Sequence, residues 1–256
     1  MPFLEIQAIS GSGYMELGTI NMFWYLLLAH FLGDYPFQTD WIVKIKTTWF
    51  GLLLHVGVHL LTAMIIMLYW VRPAQNAWVY LMVLMISHLV IDFSKNIFSH
   101  SHPQYFLVAY FFDQGLHIIS IAAVAFWMTQ AGFDMPNAEQ LTAVFVILGL
   151  VLVTDVWRIT ERIWSYSAQS PCSPQRLALL RMLGRACLFV SVLSGPFALG
   201  ISLGLFAIML LVGIYWCEMK EGHRFYDVFN WFPWRLAGVD ITIALLGAVF
   251  IGTLML

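Results

Sequence analysis

Residues 50–70, FGLLLHVGVHLLTAMIIMLYW, contain no Asp, Glu, Lys or Arg. An apolar run of about 20 residues has the length of a helix crossing a bilayer. Further windows of this kind lie at about 19–37, 77–98, 104–129, 141–157, 177–195, 198–217 and 237–256. They predict an all-α, polytopic transmembrane helical bundle of eight spans. The separators are Arg72-Pro73, Ser101-His102-Pro103, Asp134-Met135-Pro136-Asn137, the polar stretch 158–176 and the less distinct Ser194-Gly195-Pro196. Composition agrees, with 61% hydrophobic and 10% charged residues, where soluble domains carry about a quarter charged.

The net charge of −2 offers no basic surface, so nucleic acid is not an expected partner. Cys172, Cys187 and Cys217 are scattered and odd in number, which predicts neither a disulfide framework nor a CxxC metal site. The opening MPFLEIQAIS has Glu5 and no cationic stretch, so no cleaved signal peptide is expected. With eight spans, Lys44, Lys46, Lys95, Arg158, Arg162, Arg176, Lys220, Arg224 and Arg235 fall on one side and Arg72 on the other. The positive-inside rule makes the rich side cytoplasmic, with both termini outside.

Inside the first four spans stand four pairs of one form: His30/Asp34, His55/His59, His88/Asp92 and Asp113/His117. Four-residue spacing puts both members of a pair on one helix face. The pairs fall late, early, late and early in successive spans. Antiparallel neighbours therefore bring all four to one level, in the cytoplasmic half of the membrane. Three unpartnered Asp at span centres would cost roughly 7–10 kcal/mol on insertion scales. These carboxylates must be partnered, protonated or metal-bound. A single such pair is more often a hydrogen bond between helices. Four at matched depth predict a metal site with ligands His30, Asp34, His55, His59, His88, Asp92, Asp113 and His117. It suits zinc, with iron or manganese as other options, holding one ion with outer carboxylates or two with a bridging Asp. Asp34, Asp92 and Asp113 are the candidates for catalytic acid–base work.

Other polar residues carry weaker signals. Lys95, one turn beyond Asp92, is expected to snorkel to the interface. Gln38 and Asp40 are placed near the mouth, Gln114 beside Asp113, and His100 and His102 in a solvated loop. In the second half, Asp155 and Arg158 are expected to pair, with Glu161 and Arg162 on the same interfacial helix. Arg176 and Arg181 read as ordinary topogenic arginines, Arg185 lies deeper, and Asp240 is assigned to Arg235. Glu218, Glu221 and His223 read as a solvated loop.

The motifs HFLGDYPFQTDW, LLLHVGVHLL, SHLVIDFSKN and FFDQGLHIIS resemble the prokaryotic integral-membrane family catalogued as domain of unknown function 3307, over about residues 24–128. The resemblance implies that His30, Asp34, Gln38, Asp40, His55, His59, His88, Asp92, Lys95, Asp113, Gln114 and His117 form one constellation; it implies no activity. The expected organisation is a four-span motif-bearing domain, 1–129, and a four-span region, 130–256, that is a candidate surface for a membrane-protein partner. The leading functional reading is a metal-dependent hydrolase acting on a lipid-linked, isoprenoid or peptide substrate. The alternatives are a structural or assembly subunit and a divalent-metal or proton transporter. A di-iron oxidase is disfavoured because H-x2-H-H clusters are absent from the sequence.

Overall fold

A computed structural model describes residues 11–70, 77–133, 138–167, 175–195 and 234–255. Among them the chain is helical throughout, with no strand. Five helices are long and apolar enough to cross a membrane: Trp49–Leu68, Ala77–Ser101, Pro103–Gln130, Gln140–Ser165 and Ala237–Leu254. Helices also overlie the windows at 19–37 and 177–195; the one at 198–217 lies outside the described residues. The chain divides into two compact units, Met1–Val144 and Phe145–Leu256.

In the first unit, α1 (Gly11–Asp34) is followed by the short α2 (Asp40–Ile45), then α3 (Trp49–Trp70), α4 (Ala77–Ser101), a 3-10 turn (Pro103–Tyr105) and α5 (Phe106–Gln130). Local chemistry sets the breaks. Pro36 has no amide hydrogen to continue α1 and disfavours helix at the residue before it; Phe37 N instead donates to Leu32 O at 3.0 Å. Thr39 caps α2, its side chain accepting from Ile42 N, and Thr48 Oγ1 accepts from Gly51 N at 3.1 Å as α3 begins. Both are the hydroxyl capping that satisfies orphan helix donors. Past α5, Gly132 adopts φ +78°, the left-handed conformation that closes a helix end.

Helix α1 packs on α3 and α5, and α4 packs on the same two, so the four helices close a ring. Apolar layers fill its interior, with Met22, Leu26, Ala63, Leu84, Ile121 and Val124 buried. The outward faces are also apolar: Leu61, Leu68, Ile86, Phe112 and Ile119 are each at least 60% exposed. A surface of this kind suits lipid contact.

Helix α6 (Ala138–Val151) spans the boundary at Val144/Phe145 and, in the second unit, runs through a π-helical turn (Leu152–Val156) into α7 (Trp157–Ser167); α8 (Gln175–Ser194) packs on the last helix, here α9 (Trp234–Leu254). The fifth apolar helix therefore continues past the window's end at 157. The π turn leaves carbonyls out of the usual ladder: Arg185 Nε donates to Val153 O at 2.5 Å and its Nη2 to Thr154 O at 3.4 Å. Asp155 and Arg158 do pair, at 3.2 Å. The reading of Arg181 as merely topogenic is corrected, because it is buried and ion-paired with both Asp240 (2.6 Å) and Glu161 (2.7 Å). Asp240 also takes Arg185 at 2.6 Å. Burial makes a carboxylate seek a deep cation, and among the described residues α8 supplies both of those on Asp240. The side chains of Arg176 and Arg235, and all of Glu218, Glu221 and His223, lie outside the described residues.

Candidate metal centre

The helical spacing does what it dictates. His30 and Asp34 sit in the last turns of α1, His55 and His59 early in α3, His88 and Asp92 in the second half of α4, and Asp113 and His117 early in α5. All eight side chains are buried, none more than 7% exposed. They meet in one cluster inside the ring.

One carboxylate oxygen, Asp34 Oδ1, lies 3.1 Å from His55 Nε2 and 3.2 Å from His59 Nε2. Asp34 Oδ2 is 3.3 Å from His30 Nε2. On the facing side, His55 Nε2, His88 Nε2 and Asp92 Oδ2 form a nearly equilateral triangle with sides of 3.2, 3.2 and 3.3 Å. Ligands about 2.0–2.1 Å from a tetrahedral ion stand about 3.3 Å apart along each edge. The triangle therefore has the dimensions of one face of such a coordination shell. Asp92 Oδ1 turns toward His117 Nε2 at 3.8 Å, and Asp113 Oδ1 lies 3.5 Å from that same nitrogen.

Three groups of donor atoms lie close enough together to hold a metal ion: Asp34, His55, His59 and His88; His30, His88 and His117; and Asp92, Asp113 and His117. The first and third share no residue. Asp92 faces both, because its Oδ2 belongs to the triangle and its Oδ1 points to His117. Two buried atoms of the last group, Asp113 Oδ1 and His117 Nε2, make no hydrogen bond, whereas Asp92 Oδ2 is ion-paired with Lys46 at 2.8 Å. Buried polar atoms are nearly always hydrogen-bonded, so two such atoms side by side in one cluster fit an ion as their partner.

A shell of polar groups orients these side chains. Gln114 Nε2 donates to Asp34 Oδ2 at 3.0 Å and to Asp113 Oδ2 at 3.3 Å. Its oxygen accepts from the Tyr35 hydroxyl at 3.3 Å, and Tyr35 in turn shares a 2.7 Å hydrogen bond with Tyr110. The Gln38 amide lies 3.3 Å from His55 Nδ1. The atom that faces Nδ1 is the amide nitrogen; turned over, so that its oxygen accepts from Nδ1–H, that amide would fix the tautomer whose Nε2 lone pair points into the cluster. Gly33 allows the His59 ring to lie on the backbone of α1; a Cβ there would stand 2.6 Å from the imidazole.

Two lysines reach the cluster. Lys95 does not snorkel away: its Nζ donates to Asp113 Oδ2 at 2.6 Å. A carboxylate one helix away outcompetes the interface for the ammonium. Lys46, just past α2, places Nζ 2.8 Å from Asp92 Oδ2. Sequence reasoning assigned Lys46 only to the cytoplasmic charge count and passed over Tyr35 and Tyr110. The QTD turn after α1 was the available signal, since a short helix there folds the chain back toward the pairs. Asp40 is exposed, as are His100 and His102, the last stacked on Phe98.

On the other side of the imidazoles a small cavity of about 10 Å³ is lined by His30, His59, His88 and His117 and by apolar side chains one turn along, including Leu26, Ala63, Leu84 and Ile121. It has room for one water-sized species.

No curated protein and no solved structure matches the chain. A family match covers residues 22–146, the segment that carries every residue of the cluster. Over that segment the chain matches the family described as Protein of unknown function (DUF3307).

Proposed function

We propose that the protein is a membrane-embedded, metal-dependent hydrolase acting on a membrane-associated substrate. The cluster would hold two divalent ions, zinc by preference. The observation that carries the reading is the pair of buried atoms without hydrogen bonds, Asp113 Oδ1 and His117 Nε2, beside the His55/His88/Asp92 triangle. Imidazole and carboxylate donors in a small chamber are zinc's usual partners. Asp34, His55, His59 and His88 would hold one ion and Asp92, Asp113 and His117 the other, with Asp92 between them and His30 completing either shell.

Ions so placed lower the pKa of a water and polarise the bond to be cleaved. The chain's residues supply the rest. Asp113, whose Oδ1 is uncommitted while Lys95 and Gln114 fix its Oδ2, takes the proton from the attacking water. Gln114 and the Tyr35–Tyr110 pair hold Asp34 and Asp113 in register. The apolar exterior and the wall of leucines around the imidazoles keep bulk water from the chamber. Eight spans, both termini outside and a site in the cytoplasmic half of the inner membrane complete the reading, so substrate would arrive from the inner leaflet.

The test is metal analysis of the purified full chain and of the His55→Ala/His59→Ala double variant. The expected result is about two ions per wild-type chain and a loss of at least one in the variant. Metal-dependent release of product from lipid-linked esters or peptides, lost in step with metal content in the His55→Ala/His59→Ala variant and abolished in Asp113→Asn, would carry the enzymatic half. A wild-type chain with no bound metal after zinc reconstitution, or the same metal content in both proteins, overturns the proposal.

A further inference from the structure

Charge inside the cluster does not balance for a simple hydrolytic site. Asp34, Asp92 and Asp113 bring three negative charges, Lys46 and Lys95 two positive ones, and imidazole ligands are neutral. Two divalent ions turn the deficit of one into a surplus of three positive charges in a low-dielectric chamber. One hydroxide leaves two. A buried surplus of that size demands an anion. A phosphate monoester carries about −1.5 to −2 charges at neutral pH, close to the missing amount.

The lysines also stand where such a group would enter. The eight ligands are at most 7% exposed, whereas Lys46 and Lys95 are 13% and 21% exposed. They are the two cations that touch the described cluster and still reach its outside. Their current partners are the outer carboxylates, Asp92 at 2.8 Å and Asp113 at 2.6 Å. Both carboxylates belong to the group assigned to the second ion. When an ion takes up these carboxylates, each ammonium loses much of its partner's charge and becomes available to a ligand. The surroundings of Lys46 are apolar: Phe37, Trp41, Val43, Trp49 and Phe50 are each more than half exposed within 14 positions of chain. A phosphate held at Lys46 would have its hydrocarbon chain lying against this surface.

Resting on the metal-dependent hydrolase reading, we infer that Lys46 and Lys95 form an anion seat for the phosphate of a lipid phosphomonoester, the substrate class of the site. Hydrolysis of that class transfers the phosphoryl group to water: the new P–O bond forms to the water oxygen, the ester P–O bond breaks, and the lipid alkoxide leaves as the alcohol with the proton that Asp113 removed. No oxidant or further reactant is needed.

The experiment uses the full chain in phosphatidylcholine nanodiscs, metal-free and zinc-loaded, with metal content measured first. Binding of inorganic phosphate and of dodecyl phosphate is followed by calorimetry and phosphorus NMR. Zinc-loaded wild type is expected to bind dodecyl phosphate at least about tenfold more tightly than the metal-free form. Lys46→Met and Lys95→Met should each weaken binding about tenfold or more, the usual worth of a charge-assisted hydrogen bond, while metal content stays at or above the wild-type value. Lys46→Arg and Lys95→Arg should recover part of the loss. Should a methionine variant not fold, Lys46→Gln and Lys95→Gln keep a donor for the carboxylate but remove the charge, and the same loss is expected.

Zinc-loaded protein that binds neither probe, or lysine variants that bind as the wild type does, overturns the anion seat and leaves the metal site standing. Equal affinity for inorganic and dodecyl phosphate overturns the lipid part alone. A chain that holds no zinc removes both readings. A chain that binds dodecyl phosphate tightly but never cleaves it refutes the hydrolase and sustains the seat.

Discussion

Replacing Gly33 by alanine tests whether the cluster is a fitted chamber or a loose set of polar groups. Inside an exposed helix, Gly→Ala ordinarily stabilises by about 0.5–1 kcal/mol, because alanine loses less backbone entropy on folding. At Gly33 the added Cβ would stand 2.6 Å from His59 Cε1 and Nδ1 and 2.9 Å from Cγ. Ordinary contact needs about 3.5–4.0 Å, so the imidazole must withdraw by about 1 Å. His59 Nε2 is 3.2 Å from Asp34 Oδ1, and its ring is 4.0 Å from that of His88; retreat is opposed by both. Overpacking of this kind costs about 1–3 kcal/mol, reversing the sign expected from helix propensity. Functional constellations tolerate displacements of about 0.5 Å, so metal affinity should drop about 10–100-fold, as for loss of an orienting contact. The assay is competition with a chromophoric chelator, with thermal unfolding in the same nanodiscs. Gly57→Ala and Gly115→Ala are controls on α3 and α5, where nothing lies within 4 Å of the added atom; both should be neutral or slightly stabilising with unchanged metal affinity. If Gly33→Ala matches those controls, the packing of His59 against α1 has no part in metal binding.

Other expectations are sharp enough to measure. Gln114→Leu removes the donor shared by Asp34 and Asp113 and should lower metal affinity about tenfold or more, read by the same chelator competition. Acidification should release metal, because an imidazole must be unprotonated at the nitrogen that holds the ion; elemental analysis after dialysis at a series of falling pH values would follow the loss, and occupancy that does not depend on pH would argue against imidazole ligation. Asp240→Asn leaves Arg181 and Arg185 without their common carboxylate and should destabilise the fold by about 3–5 kcal/mol, seen as a large fall in Tm.

What sequence could show and what it could not divides along the reach of each side chain. His30/Asp34 and the three pairs like it were legible because helical spacing fixes both members on one face and alternating depth fixes the level. Short side chains on regular backbone leave little freedom. Lys95 was misjudged for the opposite reason: four methylenes can reach lipid headgroups or Asp113, and spacing alone does not choose. Lys46 and Tyr35 lie beyond the end of α1, where Pro36 and the Thr39 cap redirect the chain, so no periodicity ties them to the cluster. Arg181 and Arg185 find Asp240 more than 50 positions away, a partnership between helices that no local pattern encodes. The π turn at Leu152–Val156 belongs to the same class, since its freed carbonyls become explicable only once Arg185 is seen to bond them.

The two units answer one physical problem differently, and the contrast bears on function. Each buries carboxylates among apolar helices. In the second unit Asp240 meets two guanidiniums through three hydrogen bonds of 2.6–2.8 Å from Arg181 and Arg185. Arg181 is also tied to Glu161, so two cations face two anions. That network is closed by the chain's own groups. In the first unit the chain has comparable means: lysines at 2.6 and 2.8 Å, a glutamine amide and five imidazoles. Yet Asp113 Oδ1 and His117 Nε2 still form no hydrogen bond. One added hydroxyl or amide would have satisfied them, as Gln114 satisfies Asp34. A cluster that concentrates donors at the edge lengths of a coordination shell, and leaves two of them uncommitted, is shaped for a partner that is not a protein side chain.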